Sequence, residues 1–166
     1  MVSLANRQTV QLDERGRLSY PQQYRSRIGD ELYISRDDRD RGFLVIRSEE
    51  GFIRNMEKIA AEREAKGDTP EEVEDAVRDF TMYTAAVSPD KNGRLTLPKE
   101  LKEYAGIDTR ENVPKEERGR VVFVGLGDHA EIWTETRLQA YEEKRKRERE
   151  IARKREDAAH DAKYTP

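Results

Sequence analysis

The sequence predicts an α+β protein in which two similar β-rich units interleave in one pseudo-twofold, β-barrel-like domain, with linking helices and a charged C-terminal helix. Two observations predict this fold. A motif near the start of the chain returns 77 residues later with the same internal spacing, and the clear helical patterns lie between and after the two copies. Each copy is too small to bury a core alone, so we expect the two copies to share one core.

The repeat fixes the positions of Asp, Gly, Arg, Leu and Pro. Residues 12–21 have the sequence LDERGRLSYP and residues 88–98 have the sequence SPDKNGRLTLP, with the five shared positions at a constant offset of 77. Such a match indicates an internal duplication. Further along, Ile46 corresponds to Ile132 at an offset of 86. The second copy therefore carries an insertion, which is placed most naturally in the polar stretch 108–119.

Both copies predict the same order of elements. A strand leads into the motif turn, a short strand follows the turn, and a proline begins a short helix. Gly29 and Gly106 are expected to end these helices, because glycine commonly follows the last helical residue. Two more strands complete each copy. The predicted elements cover residues 9–12, 18–20, 21–28, 31–35 and 43–47 in the first copy and residues 83–87, 95–97, 98–105, 120–125 and 131–134 in the second.

Three further helices are predicted outside the two copies. Residues 49–66 place apolar side chains at helical spacing, and residues 70–80 have an apolar edge. Thr69 is the expected N-cap of the second of these helices, where Glu72 completes a capping box. Residues 137–162 form a charged helix with opposite charges four residues apart, and its distal part is expected to be solvated or frayed.

These elements divide the chain into four predicted segments. A first repeat covers residues 4–50, and linking helices cover residues 51–80. A second repeat covers residues 81–136, and a charged C-terminal helix or tail covers residues 137–166.

Composition excludes several classes of protein. The chain has no cysteine and two histidines, which leaves no disulfide framework, no thiolate zinc site and few parts for a histidine-based active site. No apolar run approaches the roughly 18 residues needed to cross a bilayer, and no apolar secretion segment follows the start. We therefore expect a cytoplasmic protein that is not an enzyme, with no catalytic residue, metal, other cofactor or small-molecule substrate.

The charged residues, 40% of the chain with a formal net charge of −3, are distributed unevenly. Residues 1–30 and 81–110, which contain the two motifs, are net basic, whereas residues 31–80 are strongly acidic. Nucleic-acid binding requires positive charge that faces phosphates rather than a basic total. The pattern therefore permits a basic binding face. The basic run 144–147 lies between glutamates and is interpreted as a mixed, solvated helix face.

The motif can present an arginine at a fixed angle. Its aspartate can accept the amide N–H groups of a turn, and its glycine can adopt a positive φ without steric cost. Arg17 and Arg94 would then be oriented toward guanine O6 and N7 or toward a phosphate. The alternative is that Asp and Arg merely close the turn through a local ion pair. Two copies favour DNA binding, because DNA-binding proteins commonly match a duplex with symmetry-related contacts.

Two other patterns are weaker. Residues 125–129 begin like a phosphate-binding loop but lack the third glycine and a following helix, so a hairpin turn is expected. Residues 38–42 resemble the start of a calcium loop but lack the distal glutamate. His129 has no second histidine or cysteine nearby in sequence and is interpreted as a surface residue.

The motif residues carry a resemblance to a known family. Over roughly residues 4–143 the chain resembles the MraZ family, which is built on the AbrB-type swapped-hairpin fold. The first copy contributes LDERGRL with Pro21, Tyr24 and Arg25, and the second contributes DKNGRL followed by PKELKEYAGI. Residues 131–133 also resemble the closing strand of the family.

The resemblance implies a sequence-specific transcriptional regulator that binds short direct repeats upstream of the bacterial division and cell-wall gene cluster. It implies double-stranded DNA as the partner, association with the nucleoid rather than a membrane, and assembly into a ring-like homo-oligomer. Met56 and Phe80 are expected to be exposed apolar positions for subunit contacts. The expected DNA-binding residues are Arg17, Arg94, Arg15, Lys91 and Asn92, with Asp13, Gly16, Asp90 and Gly93 supporting their turns.

A protein-binding module of the same fold is the alternative function. Such an antitoxin-like or scaffolding protein would hold a partner protein with its turns and use its charged tail for recruitment. DNA binding demands a salt-sensitive interaction with duplex DNA, whereas this alternative does not.

Overall fold

The computed structural model describes residues 4–164 and has the predicted α+β composition. A 3₁₀ helix at Lys115–Glu117, inside the insertion formed by residues 108–119, was not predicted. The strands are β1 (Arg7–Gln11), β2 (Leu18–Ser19), β3 (Leu32–Arg36), β4 (Leu44–Arg47), β5 (Thr84–Val87), β6 (Arg94–Leu95), β7 (Arg120–Gly125) and β8 (Ala130–Thr134). The α-helices are α1 (Gln22–Ile28), α2 (Glu49–Ala65), α3 (Pro70–Met82), α4 (Lys99–Ala105) and α5 (Glu135–Tyr164).

Six strands form one antiparallel sheet in which the two halves of the chain exchange strands. The order across the sheet is β1-β7-β8-β4-β3-β5. β1 from the N-terminal half pairs with β7, and β5 from the C-terminal half pairs with β3. Each half therefore supplies the outer strand for a hairpin of the other half.

The two remaining strands, β2 and β6, form a separate antiparallel ribbon. In the ribbon Leu18 lies opposite Leu95, which is the corresponding residue at the offset of 77. At the centre of the large sheet Val45 lies opposite Glu131, which is the corresponding residue at the offset of 86. Corresponding residues of the two copies therefore face each other in both places.

The strands do not close into a barrel, so the barrel-like part of the prediction is wrong. Among the described residues, β1 and β5 are the outer strands of the six-stranded sheet and do not pair with each other. Closure requires every strand to pair on both sides. Both outer strands are short, and β1 exposes its first three residues. The alternation of apolar residues predicts which face is buried but does not predict whether the edges of a sheet meet.

One hydrophobic core draws on both copies. Tyr24 of α1 is fully buried, and its ring centroid lies 5.5 Å from that of Phe123 of β7. Because burying one large apolar side chain contributes about 1.5–3 kcal/mol, a core divided between the copies stabilises each copy only when both are present. The other fully or nearly fully buried core residues are Leu12, Leu18, Leu32, Ile34, Leu44, Ile46, Leu95, Ala105, Val121, Ala130 and Ile132.

α2 and α3 pack against the opposite face of the sheet through aromatic side chains. Ile34 of β3 lies in the core, so its neighbour Tyr33 points to the other face. The ring of Tyr33 stacks on Phe52 of α2 at 4.7 Å, and Phe52 lies 5.5 Å from Phe80 of α3. Phe80 is therefore buried, and the expectation that it is exposed for subunit contacts is wrong. Met56 is half-buried.

The helix termini follow local sequence signals. The Thr69 hydroxyl accepts the Glu72 N–H at 3.2 Å and donates to the Glu72 carboxylate at 3.1 Å, which confirms the predicted cap of α3. α1 and α4 begin one residue later than predicted, because Pro21 and Pro98 adopt extended backbone conformations and serve as the N-caps.

The chain separates into two compact units, one that ends at Glu135 and one that begins at Thr136. The second unit contains nearly all of α5, which is helical as far as Tyr164 and is almost entirely exposed beyond Tyr141. The predicted solvated helix is therefore present. Within residues 4–164, no helix combines the length and the apolar character that crossing a membrane requires.

Candidate nucleic-acid interface

The first motif turn, residues 13–17, is closed by a single aspartate. The backbone N–H groups of Arg15 and Arg17 donate to Asp13 Oδ1 at 2.9 and 2.8 Å. The Gly16 N–H donates to the Asp13 carbonyl at 2.9 Å, and Gly16 has a φ of 74°. A side chain at Gly16 would be strained in this left-handed region. The local structure is the aspartate-stabilised turn that the motif predicts.

The second motif turn, residues 90–94, has the same construction. The N–H groups of Asn92 and Arg94 donate to Asp90 Oδ1 at 2.8 and 3.0 Å. The Gly93 N–H donates to the Asp90 carbonyl at 2.9 Å, and the φ of Gly93 is again 74°. The two motif turns are thus equivalent in backbone conformation and in hydrogen bonding.

The β2–β6 ribbon holds the two motif turns side by side. Arg17 Nη1 lies 3.6 Å from Asp90 Oδ2, and Arg94 Nη1 lies 3.7 Å from Asp13 Oδ2. Each arginine therefore contacts the carboxylate of the opposite turn. We call these four side chains the turn quartet. Its formal charge is zero, because two arginines are balanced by two aspartates.

The two arginines differ in how firmly they are paired. Arg17 Nε donates to Asp13 Oδ2 at 2.8 Å, which is the local ion pair expected from the structural alternative. The side chain of Arg17 is 21% exposed, whereas that of Arg94 is 41% exposed. Among the ion pairs of the described residues, Arg94 takes part only in the 3.7 Å contact with Asp13. Arg94 is therefore the more accessible of the two to a ligand.

Three of the predicted binding residues lie at the tips of the motif turns. Arg15, Lys91 and Asn92 are exposed, and so is the neighbouring Glu14. Arg15 and Lys91 add two positive charges beside the neutral quartet, and Glu14 removes one. The surface formed by the two turns is thus mildly basic.

Lys102 of α4 stabilises the first motif turn through a buried hydrogen bond, a role that was not predicted from the sequence. Its buried Nζ donates to the Gly16 carbonyl at 2.8 Å. A Cβ at Gly16 would lie 2.9 Å from this Nζ, so the close approach also favours glycine. Arg25 corresponds to Lys102 in the first copy, but its Nε donates to Asp30 Oδ1 at 2.6 Å. The sequence signal for the role of Lys102 is the basic residue that stands four positions after the motif proline in both copies.

Arg118, at the end of the insertion, is the second support that sequence reasoning missed. Its side chain is fully buried. Nη2 donates to the carbonyls of Glu14 and Arg110 at 2.8 and 2.7 Å, and Nε donates to the Val113 carbonyl at 3.3 Å. Burial, together with the charge of Arg118, lowers the pKa of Lys102. The insertion therefore folds against the first motif turn and places a second buried cation there.

The environment of the motif turns stabilises both aspartates in their ionised form. Burial acts to raise the pKa of Asp13, but hydrogen bonds from Arg17 and the charge of that residue outweigh burial and lower it. The backbone hydrogen bond from Arg94 is the main cause that lowers the pKa of Asp90. Both carboxylates are thus held charged as acceptors for the turn.

The glycine-rich residues 125–129 form the predicted hairpin turn between β7 and β8. His129 Nδ1 lies 2.7 Å from Asp128 Oδ1, and the side chain is 35% exposed, which agrees with the expected position at the surface.

The loop between β3 and β4 is organised by Asp37. Its side chain is buried, and it accepts the Arg41 N–H at 2.7 Å and the Tyr104 hydroxyl at 2.5 Å. Asp38 and Asp40, from the pattern that resembles a calcium loop, are exposed. The acidic loop is therefore built around hydrogen bonds to one aspartate, including one from α4.

This geometry defines a class of protein. It is an α+β domain with exchanged strands that presents two equivalent arginine turns on a ribbon. Residues 80–160 match the family model described as "MraZ protein, putative antitoxin-like". This span includes the second motif turn and most of α5.

Curated relatives extend the similarity to most of the chain. A transcriptional regulator MraZ of Cutibacterium acnes is 32% identical over 139 residues, which cover 81% of this chain and 84% of the relative. The protein of the same name in Leifsonia xyli is 31% identical over 130 residues, covering 78% and 80%. That of Kocuria rhizophila is 30% identical over 131 residues, covering 78% and 80%. The chain belongs to the MraZ family.

Proposed function

We propose that the protein is a sequence-specific, DNA-binding transcriptional regulator of short direct repeats upstream of the bacterial division and cell-wall gene cluster. The observation that carries this proposal is the pair of equivalent motif turns that present Arg17 and Arg94 side by side. Arginine is the side chain best suited to contact guanine and phosphate. The relatives named above are transcriptional regulators, which supports the same conclusion.

We interpret the fold as two AbrB-like swapped-hairpin repeats related by a pseudo-twofold axis. In antiparallel strands, such an axis passes midway between a residue and its own equivalent when the two lie opposite each other. Leu18 with Leu95 and Val45 with Glu131 both meet this condition. The exchange of β1 and β5 between the two halves supports the same interpretation.

DNA binding requires the arginines to exchange carboxylate contacts for contacts with DNA. The cross-turn distances of 3.6 and 3.7 Å exceed a normal hydrogen-bond length, and the side chains are partly exposed. Such pairs contribute about 0–1 kcal/mol. A good bidentate contact to a base is worth about 1–3 kcal/mol of discrimination against the wrong base, which exceeds the contribution of the cross-turn pairs. Arg17 must in addition give up its 2.8 Å hydrogen bond to Asp13, whereas Arg94 has no such bond to lose among the contacts of the described residues.

Assembly into a ring would multiply this modest interaction. Each protomer offers two arginine turns on a mildly basic surface, which alone would bind DNA weakly. Several protomers on successive direct repeats bind more tightly than one because later contacts are intramolecular. Ile53 and Met82, which are 42% and 65% exposed, replace Phe80 as apolar candidates for subunit contacts.

Selection of bound fragments from random duplex DNA at near-physiological salt tests the proposed function. We expect enrichment of a repeated short sequence, followed by an electrophoretic shift that weakens as salt rises. A duplex of scrambled sequence is the control. The antitoxin-like, protein-binding alternative predicts no enriched sequence and no salt-sensitive shift, and that result would refute the proposal.

A further inference from the structure

A pocket of about 430 Å³ lies between the β3–β4 loop, β4, α2 and the β7–β8 hairpin with the start of β8. None of the residues of the two motif turns lines it. Its volume falls within the range of small-molecule sites. Phe43 and Val45 provide an apolar part of the wall, while most of the other lining side chains are charged.

Two buried hydrogen-bond donors in the wall of this pocket lack acceptors. Asn55 is 8% exposed, and its Nδ2 has no hydrogen-bond partner among the described residues. The same holds for Nη1 of Arg47. An unsatisfied buried donor costs about 1–3 kcal/mol, and more when the group is charged. Two such donors at one pocket indicate that the acceptor comes from outside the chain.

The carboxylates of the pocket wall do not supply these acceptors. Glu131 accepts the indole N–H of Trp133 at 2.9 Å, and Asp128 accepts a guanidinium N–H of Arg54 at 3.1 Å. Asp37 is occupied by the N–H groups of its own loop. The acids that line the pocket therefore already serve other donors or, like Asp38, are exposed.

The electrostatics of the pocket favour a negatively charged occupant. Burial lowers the pKa of Arg47, although Asp38 and Asp128 partly oppose this effect. The guanidinium also lies 5.5 Å from the centroid of the Phe80 ring, a contact that offsets part of the cost of its burial but supplies no hydrogen-bond acceptor for Nη1. The exposed side chains of Arg39 and Lys58 add positive charge to the same wall.

We propose that this pocket binds a small organic anion whose carboxylate or phosphate oxygens accept hydrogen bonds from Arg47 Nη1 and Asn55 Nδ2. The carbon body of the ligand lies at the small apolar part of the wall that Phe43 and Val45, 1% and 5% exposed, provide. Both donors belong to residues that line the pocket, and because the two nitrogen atoms are buried, binding requires these terminal groups to turn toward the ligand. The site is independent of the motif turns and would make the protein responsive to a small molecule.

Isothermal titration calorimetry of the full chain with phenyl phosphate, benzoate and benzyl alcohol tests this proposal. At least one of the two anions should bind saturably, and comparison of the two identifies the preferred acid group. Benzyl alcohol has the same ring without the charge and should not bind. Absence of saturable binding by both anions, or equal binding of benzyl alcohol, would overturn the proposal.

Two variants locate the site. Arg47→Met and Asn55→Leu should each weaken binding of the anion by about tenfold or more, because each removes a buried donor. Asn55→Leu should also raise the melting temperature of the ligand-free protein, which separates lost binding from lost folding. Arg78→Met, on the exposed face of α3, should bind as the wild type does. Unchanged affinity in Arg47→Met and Asn55→Leu, or loss of anion binding in Arg17→Ala instead, would contradict the assignment.

Discussion

At the residue scale, one aspartate in each motif turn performs two tasks. Asp13 fixes the backbone of its turn through two N–H groups and also pairs with Arg17 and Arg94. The hydrogen bonds fix the backbone of the turn, whereas the ion pairs hold the arginine side chains beside the carboxylates. In the proposed function, the arginines exchange these ion pairs for contacts with DNA, and the effect of removing each arginine distinguishes DNA binding from a purely structural role.

Arg17→Ala and Arg94→Ala should each weaken specific DNA binding, by about 1–3 kcal/mol per contact, and by more in a ring, where every protomer carries the change. From the sequence, Arg17 is expected to be the more important residue, because Arg15 adds charge beside it. Arg17→Ala should also lower the melting temperature slightly, since it breaks the 2.8 Å bond to Asp13. Electrophoretic shifts paired with calorimetry measure both effects.

Arg78→Ala is the matched control for these two variants, because Arg78 is an exposed arginine that pairs with Glu74 on α3. It should leave both affinity and melting temperature nearly unchanged. A purely structural role for the motif arginines predicts the opposite pattern, with lower melting temperatures in both variants and unchanged affinity per folded molecule.

Arg118→Met should destabilise the domain by about 3 kcal/mol, because three buried or partly buried carbonyl groups, those of Glu14, Arg110 and Val113, lose their donor. Arg110→Met, in the same insertion but exposed, should cost less than about 1 kcal/mol. Urea denaturation of both variants measures the difference. Equal losses in the two variants would show that the insertion does not depend on the buried guanidinium.

Acid should destabilise the protein through its paired aspartates. Hydrogen bonding from the Arg110 side chain is the main cause that lowers the pKa of Asp108 to about 2. A depressed carboxyl pKa contributes stability that is complete above the unfolded pKa and is lost as pH falls through the folded pKa. The free energy of unfolding should therefore fall between about pH 5 and pH 2.

Asp108→Asn tests this assignment of the acid sensitivity. The variant should be less stable than the wild type at pH 7, and it should lose less additional stability on acidification. Asp79→Asn, on the exposed face of α3, should keep the wild-type slope. Urea denaturation at a series of pH values provides the data, and parallel slopes for Asp108→Asn and the wild type would contradict the assignment.

At the element scale, the helix caps act locally, whereas the strands depend on distant partners. Thr69 satisfies the N-terminus of α3 with a hydrogen bond to a residue three positions away. β1, by contrast, pairs with β7, more than 100 residues later, as in the pair of Gln11 with Arg120. Local signals therefore predict where an element begins, and long-range burial decides where it lies.

Thr69→Ala should destabilise the domain by about 1 kcal/mol, because the Glu72 N–H at the helix start loses its acceptor. Thr81→Ala, near the end of the same helix, is the matched control and should change stability by less than about 0.5 kcal/mol. Thermal denaturation followed by circular dichroism compares the two. A larger loss in Thr81→Ala would show that the N-cap is not the stabilising contact.

At the scale of the whole molecule, the exchange of strands makes the two halves depend on each other. Residues 1–80 lack β7, the partner of β1, and residues 81–166 lack β3, the partner of β5. The buried cluster likewise combines Tyr24 with Phe123. Neither half retains the core that the complete chain forms.

Residues 1–80 and residues 81–166, expressed separately, should each be poorly folded, because each half loses strand pairing and apolar burial at once. Mixed in equal amounts, they should recover cooperative unfolding. Circular dichroism during heating follows the transition in each sample. Two independently cooperative transitions in the separate halves would disprove the shared core.

The sequence alone determined the motif turns, the helices and the approximate limits of the strands. These features depend on contacts within a few residues: Asp13 and Gly16 define one turn, and Thr69 with Glu72 defines one helix start. The duplication was also evident, because the same local signals occur twice at a constant offset.

Only the tertiary structure decided which strands pair, that the sheet stays open, and which side chains support the motif turns. Lys102 and Arg118 contact the first turn from positions 86 and 104 residues away. For Lys102 the sequence offered one signal, the basic residue four positions after each motif proline, and for Arg118 it offered none, because these hydrogen bonds form only after burial has brought the carbonyl groups of the turn to the two cations. Local chemistry is encoded by neighbours in sequence, whereas the support of the site depends on how the shared core packs.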